Sequence, residues 1–441
     1  MNYLILGNGP AGVIAAETLR KADPQSSITM IGGEPEPPYS RMAIPYLLEG
    51  NIDETGTYLR KTADHFDRLR ITNRVAMATA VDPVAKQVSL SDGTTASYDK
   101  LLIATGSHPI RPPISGIDLP NVHTCWTLAD ARAIAKLAKP GKRVVQVGAG
   151  FIGCIILEAL AKNGVDLTVV ELGDRMVPRM MTPKAGAMIK DWVQSKGVRV
   201  VTSAKVERID AANQADGSIL DSVKSLFTGQ QAAEASDLMQ VTLSTGETLE
   251  CDLVIMSAGV KPNIEFLKGS GIQMGQGILT NASMQSSDPN IFAAGDVAEA
   301  PDLFNQAPMV SAIQPNAADQ GRIAALNMAS KTSLHRGVLA INVLDTLGLI
   351  SSSFGQWEGV EGGSGVELAE PDRHRYLSLQ FQGDVLVGAT SIGLTQHVGV
   401  LRGLIQGQTP LGDWRETLMN DPLKIMDAYL ACAQKPQVLH A

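Results

Sequence analysis

Short apolar runs that end in glycine turns and open into amphipathic stretches recur along the chain. The first is NYLIL, followed by GNGPAG and by VIAAETLRKA, whose apolar residues fall at helical spacing. A second apolar run, SSITMIGGE, comes next. This order predicts a strand, a tight turn, a helix and a second strand. The same order returns in GKRVVQVGAGFIGCIILEALAKNGVDLTVVE. YDKLLIATGSHPIRPP and SSDPNIFAAGDVAEAP each carry one more apolar strand running into a glycine turn. In the last third, HRYLSLQFQGDVLVGATSIG predicts two strands around a QGD turn. QHVGVLRGLIQG places Val398, Leu401 and Leu404 on one helical face, with Gly407 as its stop. In NDPLKIMDAYLACAQK, Asp421 is the expected N-cap, Pro422 takes the first turn, and Leu423, Met426 and Leu430 follow in helical register. The alternation of strands and helices predicts an α/β fold.

The two glycine turns carry candidate chemistry. Gly7, Gly9 and Gly12 form GxGxxG, and so do Gly148, Gly150 and Gly153. The first glycine of each permits the turn, the second lets backbone amides approach a pyrophosphate, and the third lets helix and strand pack closely. The helix that opens there aims its free amides and dipole at the phosphates. An acid follows each second strand, Glu34 in one case and Glu171 in the other. A carboxylate there accepts hydrogen bonds from a ribose diol. Two such devices predict two bound dinucleotides. Glu171 favours NADH, because a 2′-phosphate would meet its carboxylate; NADPH stays open if Arg175 or Arg179 compensates.

Composition narrows the class. The chain has 441 residues, 44% hydrophobic, with 42 glycines, enough for two or three domains of a loop-rich α/β protein. A net charge of −8 argues against non-specific nucleic-acid binding. Cys125, Cys154, Cys251 and Cys432 are scattered without a CxxC, so no disulfide framework, zinc site or redox dithiol is expected. No apolar run reaches membrane-spanning length. NYLIL already reads as the first strand, so a leader is not expected, and a cytoplasmic enzyme is.

The succession GxGxxG, ATG, GxGxxG and AAGD over roughly residues 1–330 resembles the pyridine-nucleotide-disulfide oxidoreductase superfamily of FAD/NAD(P) flavoproteins. The resemblance implies two Rossmann-like three-layer domains, one binding FAD and one binding NAD, with the NAD domain inserted in the FAD domain, plus a small α+β C-terminal domain. The implied boundaries are 1–112 and 271–330 for FAD, 113–270 for NAD(P)H, and 331–441 for an interface or acceptor-facing domain. It implies that Gly7, Gly9, Pro10, Ala11 and Gly12 hold the FAD pyrophosphate and that Glu34 holds the adenosine ribose. Ala78, in MATAVD, offers backbone contacts to the adenine, and Ala104, Thr105 and Gly106 line the cofactor. Gly295 and Asp296 meet the ribityl or phosphate portion, with Val297 beside the ring. Gly148, Gly150, Phe151, Ile152, Gly153 and Glu171 hold NADH, and Gly259, in MSAGVKPN, lies near the nicotinamide. The helix NAADQGRIAALNMA faces the flavin with its N-terminus.

The loop PPYSRMAIPYLLEG decides the branch. Disulfide-reducing relatives carry a cysteine where this chain has Met42, and a thioether forms no disulfide. The loop resembles the PYxRxxL loop of the thiol-free branch: rubredoxin reductases, oxygenase-associated ferredoxin reductases and the flavin portion of NADH nitrite reductases. Arg41 matches it, and Tyr46 stands where the ferredoxin-reductase subgroup has a lysine; both are candidates near the flavin. Ile155 replaces a glutamate that relatives often place near the nicotinamide. Met42 and Ile155 are expected to pack beneath the cofactor, and Trp357 and His397 to be structural. The expected function is electron transfer from NADH through FAD to a redox protein acceptor such as a rubredoxin, ferredoxin or partner subunit. The alternatives are a small acceptor (oxygen or a quinone) and a flavin- and NADH-sensing binding module. A monomer or homodimer is expected.

Residues 212–238 lengthen a strand connection beyond what relatives use. Ser218 and Asp221 are expected to cap a short helix with Ile219, Val223, Leu226 and Phe227 on its apolar face and Gly229 at its end. The segment reads either as a decorated loop or as a docking element for a partner.

Overall fold

The computed structural model describes residues 1–211 and 238–432, so the expected helix within 212–238 lies outside the described residues. The chain forms two compact units. One comprises Met1–Leu47, Ile52–His108 and Val260–Ile341; the other comprises Leu48–Asn51, Pro109–Gly259 and Asn342–Ala441.

In the first unit, NYLIL becomes the central strand Asn2–Leu6 of a parallel sheet. The strand order is Ile291–Ala293, Lys100–Ile103, Asn2–Leu6, Ser27–Gly32, Ile71–Val75. Leu4, Ile5 and Leu6 are buried along with Leu101, Leu102 and Ile103 beside them. Such near-continuous apolar strands suit a parallel sheet covered on both faces. Helices Pro10–Ala22 and Gln314–Met328 pack against each other. A side chain at Gly321 would come within 2.4 Å of the Ala11 carbonyl oxygen, so the crossing requires glycine there. An antiparallel meander, Ala78–Asp82, Gln87–Leu90 and Thr95–Ser97, and a small sheet of Ile278–Leu279, Ala298–Pro301 and Pro308–Val310 also belong to the unit.

The second unit repeats the scheme. Its parallel sheet runs Arg199–Val201, Asp166–Val170, Arg143–Val147, Leu253–Met256, Val122–Thr124. Helices Phe151–Lys162 and Pro183–Ser195 flank it. A separate five-stranded sheet follows, in the order Ile341–Thr346, Leu349–Gly355, Val385–Ile392, Arg375–Gln382, Ser364–Glu370. The hairpin expected around QGD is the antiparallel pair Arg375–Gln382 and Val385–Ile392.

Hydrogen bonds fasten this C-terminal sheet to the two helices that flank the parallel sheet of the same unit. Thr182 Oγ1 donates to Tyr376 Oη at 3.0 Å. Trp192 Nε1 donates to the carbonyls of Thr346 and Leu347, both at 3.1 Å. The Leu347 amide donates to Glu158 at 3.3 Å.

Leu401 and Leu404 are buried on helix Val398–Gly407. Gly407 is its last helical residue, and the left-handed turn that closes the helix falls on Gln408 instead. Asp421 accepts from the Leu423 amide at 3.1 Å and so caps the turn Pro422–Lys424 that leads into helix Ile425–Cys432.

Candidate cofactor-binding sites

In the first unit, Gly7 ends the strand with φ +109°, a left-handed conformation that favours glycine. A Cβ there would stand 2.0 Å from the Ala104 carbonyl oxygen, and one on Gly12 would stand 2.0 Å from that of Gly7. A Cβ on Gly9 would meet nothing within 4 Å. Two of the three glycines therefore close the protein's own packing, and the middle one opens onto free space. Gly9 is the N-cap of the helix that Pro10 begins, with no side-chain cap and no acid in the first turn. Its amides remain free for an anion. Ala11 is buried, and the Ala104 amide bonds the Leu6 carbonyl at 2.7 Å.

Glu34 follows the second strand and is shared by two side chains. Tyr39 donates its hydroxyl to Oε2 at 2.6 Å, and Arg41 donates to Oε1. Arg41 also donates to the Tyr39 oxygen at 2.9 Å and lies over its ring, 5.4 Å from the centroid. Ala78 pairs with Leu90, and the neighbouring Met77 stays exposed beside Gly33. Met42 and Tyr46 stand 43% and 55% exposed.

Thr105 and Gly106 sit in a turn held by Asn263. The Asn263 amide donates to the Gly106 carbonyl at 2.9 Å. Its side chain donates to the Thr105 carbonyl at 2.8 Å and meets His108 Nδ1 at 2.5 Å. Ser107, in the same turn, donates to Asp296 Oδ2 at 2.7 Å. Burial raises the Asp296 carboxyl pKa; the Ser107 hydroxyl and the Arg41 charge oppose that. The Gly295 amide donates to the buried Gln320 at 2.9 Å, and Val297 is buried. Asn263, Ser107, Gln320 and Tyr39 were missed as site residues. GVKPN marks the first and ATGS the second.

The second unit builds the same cradle. Gly148 has φ +104°, and its Cβ would lie 2.4 Å from the Ser257 carbonyl oxygen. A Cβ on Gly153 would lie 2.4 Å from the Gly148 oxygen, while Gly150 again opens onto free space. Phe151 and Ile152 form the partly exposed first turn of the helix, and Ile155 is also partly exposed. Gln146 braces the turn from beneath, donating to the carbonyls of Gly148 and Gly153 at 3.0 Å each. Glu171 is buried and accepts from the Ala149 amide at 2.6 Å and the Gly173 amide at 2.8 Å. Arg175 is committed to the carbonyls of Met181 and Pro178 and to Asp174. That leaves exposed Arg179, rather than Arg175, to meet a 2′-phosphate. Gly259 accepts from the Ile110 amide at 2.8 Å.

Both cradles therefore fit a dinucleotide: a Cβ-free opening over free helical amides, with an acid at the end of the next strand. The thiols fit no part in this chemistry. The first unit contains no cysteine. Burial pushes the Cys125, Cys154 and Cys251 thiols up to about 12, far from a nucleophilic thiolate. Among the described residues no helix is long and apolar enough to cross a membrane, and no acid, histidine and cysteine cluster could hold a metal ion.

Comparison with known proteins agrees with this geometry. The family described as pyridine nucleotide-disulphide oxidoreductase matches residues 1–321. NADH-dependent phenylglyoxylate dehydrogenase subunit epsilon of Aromatoleum evansii is 31% identical over 427 residues, 96% of each chain. Rhodocoxin reductase of Rhodococcus erythropolis is 32% identical over 342 residues, 77% of this chain and 74% of that one. The reductase chain of a covalent putidaredoxin reductase–putidaredoxin complex shares the fold, with a TM-score of 0.85 at 24% identity over 98% of this chain and 99% of that one. The chain belongs to the pyridine nucleotide-disulphide oxidoreductase family, as an FAD-containing, NADH-dependent oxidoreductase.

Proposed function

We propose that the protein takes electrons from NADH and passes them to a redox protein, either a small carrier of the rubredoxin or ferredoxin kind or a partner subunit, with no thiol relay. The observation that carries this reading is the pairing of two complete dinucleotide cradles with a first unit that has no cysteine. The end-to-end likeness to a subunit of an NADH-dependent dehydrogenase and the likeness to a rhodocoxin reductase support a protein acceptor.

In this reading the first cradle holds FAD. The amides behind Gly9 meet its pyrophosphate, Glu34 its adenosine ribose, and Arg41 offsets phosphate charge. Asp296 would accept hydrogen bonds from the ribityl hydroxyls, with Thr105, Gly106 and Val297 lining the cofactor. The second cradle holds NADH, with Glu171 on the ribose diol. The segments 1–112 and 271–330 form the FAD domain, 113–270 the NAD domain, and 331–441 an acceptor-facing or interface domain. When bound, FAD would supply two-electron uptake from NADH and single-electron release to an acceptor. The residues contribute proximity and orientation rather than acid–base groups. The protein acts in the cytoplasm as a monomer or homodimer.

Anaerobic stopped-flow absorbance tests this. The flavin should bleach fast with NADH and slowly with NADPH, and rubredoxin or ferredoxin should restore the colour faster than oxygen or a quinone does. Bleaching by neither nucleotide, or reoxidation only by small acceptors, contradicts the proposal.

A further inference from the structure

We propose that Ser107 is a positioning residue for the flavin cofactor: its hydroxyl fixes the Asp296 carboxylate so that one oxygen belongs to the protein and the other is presented to a hydroxyl-bearing part of the ligand. The proposal rests on the reading of the first unit as the FAD site.

Three observations carry it. The first is the hydrogen bond itself, from Ser107 Oγ to Asp296 Oδ2 at 2.7 Å, with Ser107 buried. The second is that both ends are anchored. Asn263 ties the Ser107 turn through Thr105, Gly106 and His108, and Gln320 holds the Gly295 amide next to Asp296. Neither end is free to follow a ligand, so the bond sets the carboxylate's plane before anything binds. The third is the surroundings. Asp296 keeps a partial opening to solvent, yet burial dominates its titration. A carboxylate in such a place stays ionised only with donors and positive charge nearby. Ser107 supplies the donor, and Arg41 is the charged group that acts on it, itself paired with Glu34. With Ser107 donating to one oxygen, the other is left as a hydrogen-bond acceptor, which suits a polyol hydroxyl and not another anion.

The test is FAD binding to apoprotein, followed by flavin fluorescence from about pH 5 to about pH 9. Wild type, S107A, S107T and D296N are compared, with circular dichroism to show that each is folded. Removing the Ser107 hydroxyl raises the Asp296 pKa further, so protonation begins at higher pH. S107A should bind FAD ~10-fold more weakly, as for loss of one hydrogen bond to a charged group. The loss of affinity on acidification should also begin at higher pH than in wild type. S107T should restore both properties, and D296N should bind weakly with no acid-side change. A folded S107A with wild-type affinity and an unmoved acid limb overturns the proposal, as does an S107T that behaves like S107A. Full FAD affinity in D296N shows instead that the site reading is wrong, and the proposal falls with it.

Discussion

Asn263 and Thr105 hold each other by two hydrogen bonds that run in opposite directions. Asn263 Nδ2 donates to the Thr105 carbonyl at 2.8 Å, and Thr105 Oγ1 donates to the Asn263 carbonyl at 3.0 Å. The clasp joins the ATG turn to GVKPN, 158 residues later. Asn263→Ala removes one of these bonds and the contact to His108, and leaves the Thr105 carbonyl without that donor. Unmade bonds of this kind cost about 1–3 kcal/mol each when buried. The variant should release FAD more readily and melt several degrees lower, as checked by flavin fluorescence during a thermal ramp. An unchanged melt and unchanged FAD retention would mean that the clasp does not hold the site.

The two open glycines behave differently from the four packed ones. Gly150→Ala adds a methyl that meets no protein atom within 4 Å, whereas Gly153→Ala drives one to 2.4 Å from the Gly148 oxygen. The first should fold as stably as wild type yet bind NADH roughly 10-fold or more weakly, because the methyl occupies the pyrophosphate's approach. The second should lose about 1–3 kcal/mol of stability through overpacking. Paired melting curves and NADH titrations separate the two effects.

Much of this was legible beforehand. The cradles could be read because each glycine's spacing follows from one constraint, the close approach of strand, helix and phosphate. The strands Arg375–Gln382 and Val385–Ile392 were legible from alternation around QGD. Contacts between distant segments were not legible. Nothing local in sequence says that Asn263 reaches back to Thr105, that Gln320 meets Gly295, or that Trp192 bonds the carbonyls of Thr346 and Leu347. Each depends on the folded path of the chain. The commitment of Arg175 to carbonyls was hidden for the same reason, since a sequence shows a charge but not its partner.

Acid should weaken the first unit through Glu17. Burial works to raise the Glu17 pKa, but hydrogen bonds and charge from Arg60 and His65 prevail, and it lies below the usual 4.5. A depressed folded pKa contributes stability above the unfolded value, and that stability is lost as pH falls through the folded one. The loss therefore begins near the usual 4.5 and continues below it. Glu17→Gln keeps the shape but not the charge for Arg60, which donates through Nε at 2.6 Å and an Nη at 2.7 Å. The variant should be less stable than wild type at neutral pH, and the gap should narrow on acidification below about pH 4. Chemical denaturation at the two pH values checks it; a constant gap contradicts the assignment.

The absence of a thiol relay fixes how many electrons the resting protein can store. Flavin alone takes two, and a flavin with a redox disulfide takes four. Anaerobic titration of the oxidised holoprotein with NADH, followed by flavin absorbance, counts them. With no cysteine in the first unit, reduction should be complete at about one NADH per FAD. An end point at about two NADH per FAD would reveal a second two-electron centre and contradict direct transfer from flavin to acceptor.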